Sequence, residues 1–244
     1  MLKVRQNPMK SERLLLFTLA AIQFSHIMDF MIMMPLGPQL MRIFSISPQQ
    51  FSFLVSGYTF SAGVFGFLSA FVADRFDRKP LLMFLFTGFI LGTVTCSLAP
   101  SYGILLAARI LTGAFGGILS AMVFAVVGDA VPIERRGTAM GWVTAAFSAA
   151  SVFGVPFGLF LASKISWHAP FVFLACLGMP VWVMAWRYIP NTAQPESTRE
   201  NPLQLLQRVS LDRNQQWALL LIILMMLGQF SVIPFLSPSM VANV

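Results

Sequence analysis

Charge is scarce in this sequence. Asp, Glu, Lys and Arg make up 10% of its 244 residues, against about 25% in an ordinary soluble domain. Cysteine is scarcer: Cys96 and Cys176 stand far apart, each inside an apolar run. That spacing excludes a C-x-x-C redox pair and a thiolate metal site, and leaves the two as small packing residues. The two histidines, His26 and His168, stand further apart still. There is no HExxH, no Walker loop and no Ser/His/Asp arrangement. Nothing here points to an enzyme, a metal or a cofactor. His168 is expected to be a solvated loop residue.

What is abundant is apolar. Hydrophobic residues make up 57% of the chain, with 24 Phe and 15 Met, and mean hydropathy is +0.77. Several apolar runs reach about two dozen residues, and roughly 20 are enough to cross a bilayer as a helix. The expected fold class is all-α, a polytopic membrane protein; a soluble protein with very greasy helices is the alternative. Seven spans are expected, at 14–40, 51–73, 81–98, 104–129, 138–162, 169–188 and 215–236. The N-terminus begins like a signal peptide. Its apolar run, however, continues past a typical h-region, contains His26 and Asp29 and has no A-x-A site, so an uncleaved first span fits better. Pro35 and Pro38 are placed to kink or stop span 1. Ser47-Pro48 should open span 2, with Ser as cap and Pro in the first turn. The organisation expected is a six-helix bundle over 1–189, a linker over 190–213 and a seventh span over 214–244. Within the linker, Asn201-Pro202 can open a short helix that turns Leu203, Leu205, Leu206 and Val209 to the membrane surface.

Basic residues set the orientation. Thirteen of the sixteen Lys and Arg fall on one side: the N-terminus, the 2–3 loop, the 4–5 loop and the stretch between spans 6 and 7. Only Arg42 and Lys164 fall on the other, and Arg109 lies within span 4. This places the N-terminus in the cytoplasm. It also explains the net charge of +7 as topological anchoring, with no nucleic-acid partner required. The densest charge is Asp74-Arg75-Phe76-Asp77-Arg78-Lys79, between spans 2 and 3.

Spans 1–3 and 4–6 have opposite orientation, because three is odd. Span 2 carries Ser61-Ala-Gly63-Val-Phe-Gly66, and span 5 carries Ser151-Val-Phe-Gly154-Val-Pro156-Phe-Gly158. Spans 1 and 4, equivalent by position, carry Asp29 and Arg109. An inverted repeat of three-helix units accounts for this; chance likeness between Gly- and Phe-rich helices is the alternative.

Asp29 is the one acidic residue well inside a span. A charge at the bilayer centre costs roughly 2.5–3.5 kcal/mol on insertion scales, so it should face the bundle interior. His26 and Gln23 precede it at three-residue intervals and share its helix face. The stripe Gln23-His26-Asp29 fits a proton- or substrate-binding site, since a desolvated carboxylate is readily tuned; a structural polar contact is the other reading. Arg109 enters about 9 Å below the outer end of its span at 1.5 Å per residue. It can reach inward to Asp29 or snorkel to the surface. Small residues at intervals of three and four, among them Gly113, Gly116, Gly117, Gly154 and Gly158, allow close helix packing. Pro156 adds a bend.

These motifs together resemble the major facilitator superfamily. Ala70-x-x-Ala-Asp74-Arg75-x-Asp77-Arg78-Lys79 is similar to its signature G-x-x-x-D-R-x-G-R-K, with Ala70 and Asp77 in place of two glycines. Asp77 puts an acid and a Cβ where the family has a turn glycine. Leu105-x-x-x-Arg109-x-x-x-Gly113 resembles the span-4 motif, and Gly154-x-Pro156-x-Gly158 a shortened form of the span-5 antiporter motif. Asp29-x-x-x-x-x-Pro35 resembles the span-1 motif of drug:proton antiporters. The nearest branch is that of proton-coupled drug and sugar efflux permeases.

The resemblance implies secondary active transport by alternating access in a plasma (inner) membrane, with protons and a small molecule as partners. Asp29, Arg109, His26 and Gln23 would form the coupling site. Asp74, Arg75, Arg78, Lys79 and Asp129 would form a cytoplasmic charge cluster. Gly113, Gly117, Gly154, Pro156 and Gly158 would serve packing and bending. The family has twelve spans, so this chain is expected to be an N-terminal half plus span 7, partnered by a missing C-terminal half. A facilitative or symport carrier of the same fold, or a non-transporting half, are the alternatives. The apolar, aromatic interior suits amphipathic or weakly polar solutes.

Overall fold

The structure is a computed structural model that describes residues 8–69, 71, 73, 76–191 and 211–242. Among the described residues every regular element is helical. The helices are α1 (Pro8–Ile43), α2 (Pro48–Ser69), α3 (Arg78–Ser97), α4 (Tyr102–Ala130), α5 (Arg136–Ala149), α6 (Val155–Lys164), α7 (Ala169–Tyr188) and α8 (Arg213–Ala242). A 3₁₀ turn, Ile133–Arg135, leads into α5. A π-helical turn, Ala150–Gly154, joins α5 to α6, so that the two form one span.

Among the described residues, six of the resulting helices are long and apolar enough to cross a membrane. Helix is the form that closes every backbone hydrogen bond within one segment, which a bilayer interior demands. The outward faces are apolar too. Phe17, Phe60, Phe84, Ile110, Phe153 and Met179, one from each span, all stand exposed, a surface suited to lipid.

The chain falls into two units, Met1–Pro195 and Glu196–Val244. In the second, the described element is α8, 30 residues, about 45 Å at 1.5 Å per residue. The expected short helix at 201–209 lies outside the described residues.

In the first unit, α1 ends three residues past the expected Leu40. Pro35 and Pro38 do not stop it, and the helix runs on to Ile43. It closes with Phe44 N–H to the Leu40 carbonyl (3.0 Å) and Ile46 N–H to the Met41 carbonyl (3.1 Å). Ser45 sits between them at φ 51°, the left-handed closure of a Schellman motif. α2 opens as expected at Pro48. Ser47 Oγ accepts from Gln50 N–H (3.3 Å), and Gln50 Oε1 accepts from Ser47 N–H (2.9 Å), a reciprocal capping box. The π turn also has a local cause. Pro156 has no N–H to offer the carbonyl four residues back. Just before it, Val155 N–H reaches back five residues to the Ala150 carbonyl, the wide turn of a π-bulge.

The packing is self-consistent under one exchange. α2 packs on α4, and span 5 packs on α1. α3 packs on α4, and α7 packs on α1. α3 and α7 pack on each other. Swapping spans 1 with 4, 2 with 5 and 3 with 6 maps these pairings onto themselves, as an inverted repeat requires.

Of three apolar clusters in the interior, the two larger lie one towards each membrane face, and a small one of Ile27, Met28, Ala150 and Leu174 falls between them. On α1 the first ends at Ile22 and the second begins at Ile32; on α3 the break falls between Ile90 and Cys96; on α4, between Ala108 and Leu119. The gap between them holds Gln23, Ser25, Asp29, Thr93, Arg109 and Thr112, all buried. The fold therefore sequesters a set of polar side chains between the two larger apolar plugs, beside the small third cluster.

Candidate functional site

The centre of that polar set is an ion pair. Arg109 Nη1 donates to Asp29 Oδ2 at 2.6 Å, and both side chains have 0% exposure. The same nitrogen lies 3.4 Å from the Asp29 carbonyl. Of the two readings left open by the sequence, inward pairing is the one adopted; Arg109 does not snorkel. Tyr58 of α2 lies against the guanidinium, with Arg109 Cζ 4.3 Å from its ring centroid. Thr112 closes on its own helix, donating to the Ala108 carbonyl at 2.7 Å, with Cys96 Sγ 3.8 Å from its hydroxyl.

Small residues let these helices approach. A Cβ on Gly113 would collide with the Tyr58 carbonyl and Ser61 Oγ, and one on Gly117 with the Ala62 backbone. This brings α2 down onto α4 and lays Tyr58 beside Arg109. Across the bundle, a Cβ on Gly154 would stand 3.1 Å from Met28 Sδ, and one on Gly158 2.5 Å from Ile32 Cδ1. Span 5 thus sits tight on α1 around Asp29. Pro156 lies between these glycines on the exposed side of the helix.

The pair is monodentate, which matters chemically. A carboxylate can accept two parallel bonds from a guanidinium. Here Asp29 Oδ1, Arg109 Nε and Arg109 Nη2 are buried with no protein partner, as are Tyr58 Oη, His26 Nδ1 and Gln23 Oε1. Buried polar groups are otherwise nearly always paired. Such a concentration in one layer leaves capacity for a proton or a polar group of a solute.

The other residues of the stripe diverge. Gln23 Nε2 donates to Ser120 Oγ on α4 (3.1 Å), one helical turn further from Asp29 than His26. His26 packs between the rings of Tyr58 (6.3 Å between centroids) and Phe89 (6.1 Å). The layer holds Asp29, Arg109 and His26 together, with Gln23 at its edge.

At the basic end of the bundle, Arg78 Nε donates to Asp129 Oδ2 at 2.9 Å, with the Asp129 side chain 41% exposed. Lys79 is half-buried in the first turn of α3. Asp74 and Arg75 lie outside the described residues. A second ion pair joins Glu12 of α1 to Arg135 at 3.0 Å. Sequence reasoning missed it, although both lie in stretches assigned to one membrane face. Tyr58 was also missed, as one aromatic in a chain rich in them. His168 corrects the solvated reading: its Nδ1 is 2.6 Å from the Ser97 carbonyl, and its ring lies 3.8 Å from that of Trp167. It ties the end of α3 to the start of α7.

Comparison with known proteins agrees with this architecture. Residues 19–244 match the family model of the Major Facilitator Superfamily. The uncharacterized MFS-type transporter YceJ of Bacillus subtilis (strain 168) is 28% identical over 168 residues, 69% of this chain and 43% of that protein. The efflux pump dotC of Dothistroma septosporum is 33% identical over 97 residues, 40% of this chain and 17% of that pump. The crystal structure of a bacterial homolog to the human lysosomal transporter Spinster, inward-facing and unoccupied, shares the fold with a TM-score of 0.65 at 19% identity. It covers 80% of this chain and 47% of its own. The chain thus spans less than half the length of these relatives. With the family model matched over nearly its whole length, a multi-pass helical bundle and an exchange-symmetric set of spans, the chain belongs to the Major Facilitator Superfamily.

Proposed function

We propose that this chain is the N-terminal bundle and seventh span of a secondary transporter that exports small molecules in exchange for protons, by alternating access. The observation that carries the reading is the buried, monodentate Asp29–Arg109 pair on spans 1 and 4, the two helices that the repeat exchange interconverts. While Asp29 is ionised, Arg109 neutralises it and ties the repeats together. A proton on Asp29 removes the negative charge, weakens the tie and frees guanidinium donors in a water-poor layer, where such bonds are strongest. Proton arrival and helix rearrangement are coupled because one bond serves both. His26 and Gln23 extend the polar layer towards the basic end.

Outward transport in exchange for protons is supported by the Gly154-x-Pro156-x-Gly158 pattern and by the likeness to the efflux pump dotC over part of the chain. The Arg78–Asp129 pair, with Asp74, Arg75 and Lys79, acts as a charge latch on the cytoplasmic face of an inner membrane. The basic loops hold the N-terminus on that side. Residues 190–213 form the cytoplasmic linker, and the C-terminal bundle supplies the other wall of the solute cavity. Lipid surrounds the spans, and nucleic acid has no role.

The test is transport in everted vesicles carrying the protein from its complete reading frame. With ethidium as amphipathic probe and isopropyl-thiogalactoside as weakly polar probe, addition of a substrate should dissipate an imposed pH gradient. Transport that leaves the gradient intact contradicts proton exchange.

A further inference from the structure

Two side chains hold Arg109, and only one of them is a carboxylate that can accept a proton. Asp29 holds Nη1, and the face of Tyr58 covers the guanidinium at 4.3 Å. Tyr58 is itself fixed. It is 2% exposed, and its ring stands 5.5 Å from that of Phe30. Its backbone is seated where Gly113 lacks a side chain, and its hydroxyl where Gly116 lacks one. A Cβ on Gly116 would stand 2.7 Å from Tyr58 Oη and 3.0 Å from His26 Nε2. The two glycines therefore form a slot on α4 that the tyrosine fills along its length, beside Arg109.

We propose that Tyr58 is the positioning residue of the ion pair, the partner that keeps Arg109 buried and in register when Asp29 is neutral. A guanidinium left without its carboxylate in a membrane interior is driven towards an interface. An aromatic face offers a cation a desolvated partner that does not depend on a proton. With Tyr58 in place, Asp29 can accept a proton without ejecting Arg109, and the pair re-forms when the proton leaves. The groups facing the guanidinium are Asp29 of α1, Tyr58 of α2 and Cys96 of α3, with His26 of α1 beside the tyrosine. Besides the Asp29 main-chain carbonyl at 3.4 Å, the π-face of Tyr58 is the partner here that holds a cation whatever the state of the Asp29 carboxyl.

This role rests on reading Asp29 as the proton acceptor, but its test does not depend on transport. Asp29→Asn mimics the neutral acid. Tyr58→Met, which keeps bulk but has no π-face, is introduced into the protein from its complete reading frame, with and without Asp29→Asn. Thermal unfolding is then followed in detergent. Tyr58→Met should lower the melting temperature at least twice as far in the Asp29→Asn background as in the parent. Tyr58→Phe, which keeps the ring, should show no such excess. A double variant that fails to fold while both singles fold is the same synergy in extreme form. Additive shifts, or a Tyr58→Phe variant that behaves like Tyr58→Met, overturn the proposal. Absence of proton coupling in vesicles carrying the parent protein would instead count against the transport reading and leave this result standing.

Discussion

Asp29 and Arg109 meet at 2.6 Å across the contact between span 1 and span 4, so one ion pair joins the two three-helix repeats at their shared centre. It lies where both larger apolar clusters break off on α1 and on α4. A charge pair in that position is costly to bury and more costly to break, because removal of one member leaves the other uncompensated.

That asymmetry gives a stability prediction. Arg109→Leu should destabilise the protein by about 3–5 kcal/mol, the range for removing one member of a buried pair. Adding Asp29→Asn should restore a large part of the loss. Thermal unfolding of the single and double variants checks this. A double variant no more stable than Arg109→Leu would show that the cost lies in packing and not in the orphaned charge.

The glycines divide into two kinds. A Cβ on Gly117 meets the Ala62 backbone, which cannot swing aside, whereas one on Gly141 meets nothing within 4 Å. Gly117→Ala should therefore reduce the yield of folded protein sharply. Gly141→Ala, on an exposed part of α5, should stabilise by about 0.5–1 kcal/mol through helix propensity. Fluorescence-detected size exclusion and melting temperature measure both. Equal behaviour of the two would mean that α2 and α4 are not held at the separation seen here.

The Arg78–Asp129 pair is different in kind. Asp129 is partly exposed, and an ion pair at such a site is worth about 0–1 kcal/mol. Asp129→Asn should hardly move the melting temperature, yet lower transport at least fivefold if the pair latches one conformation. Asp129→Glu should recover much of it. A stable Asp129→Asn variant with parental turnover removes the pair from the mechanism.

How much of this was legible follows from what a membrane helix hides. The first six spans and the Ser47-Pro48 start depend on run length and local capping, which the sequence displays directly. Asp29 and Arg109 were visible because a charge in an apolar run has to be accounted for. Tyr58 was not. In a helix apolar on every face, lipid side and core side look alike, and periodicity no longer tells an inward aromatic from an outward one. The same blindness hid the contrast between Gly117 and Gly141. Pro35 and Pro38 lie near the end of α1 without stopping it, since a spanning helix flanked by neighbours tolerates proline better than an isolated one. The Glu12–Arg135 pair and the seat of His168 on the Ser97 carbonyl join segments more than 70 residues apart, which no local pattern encodes.

The most direct test of the central claim is Asp29→Asn in the protein expressed from its complete reading frame, assayed in everted vesicles with ethidium. Expression should match the parent. Substrate-induced collapse of the imposed pH gradient should vanish, together with uphill transport. An Asp29→Asn protein that still dissipates the gradient and still exports at the parental rate would contradict the assignment of Asp29 as the proton-coupling residue.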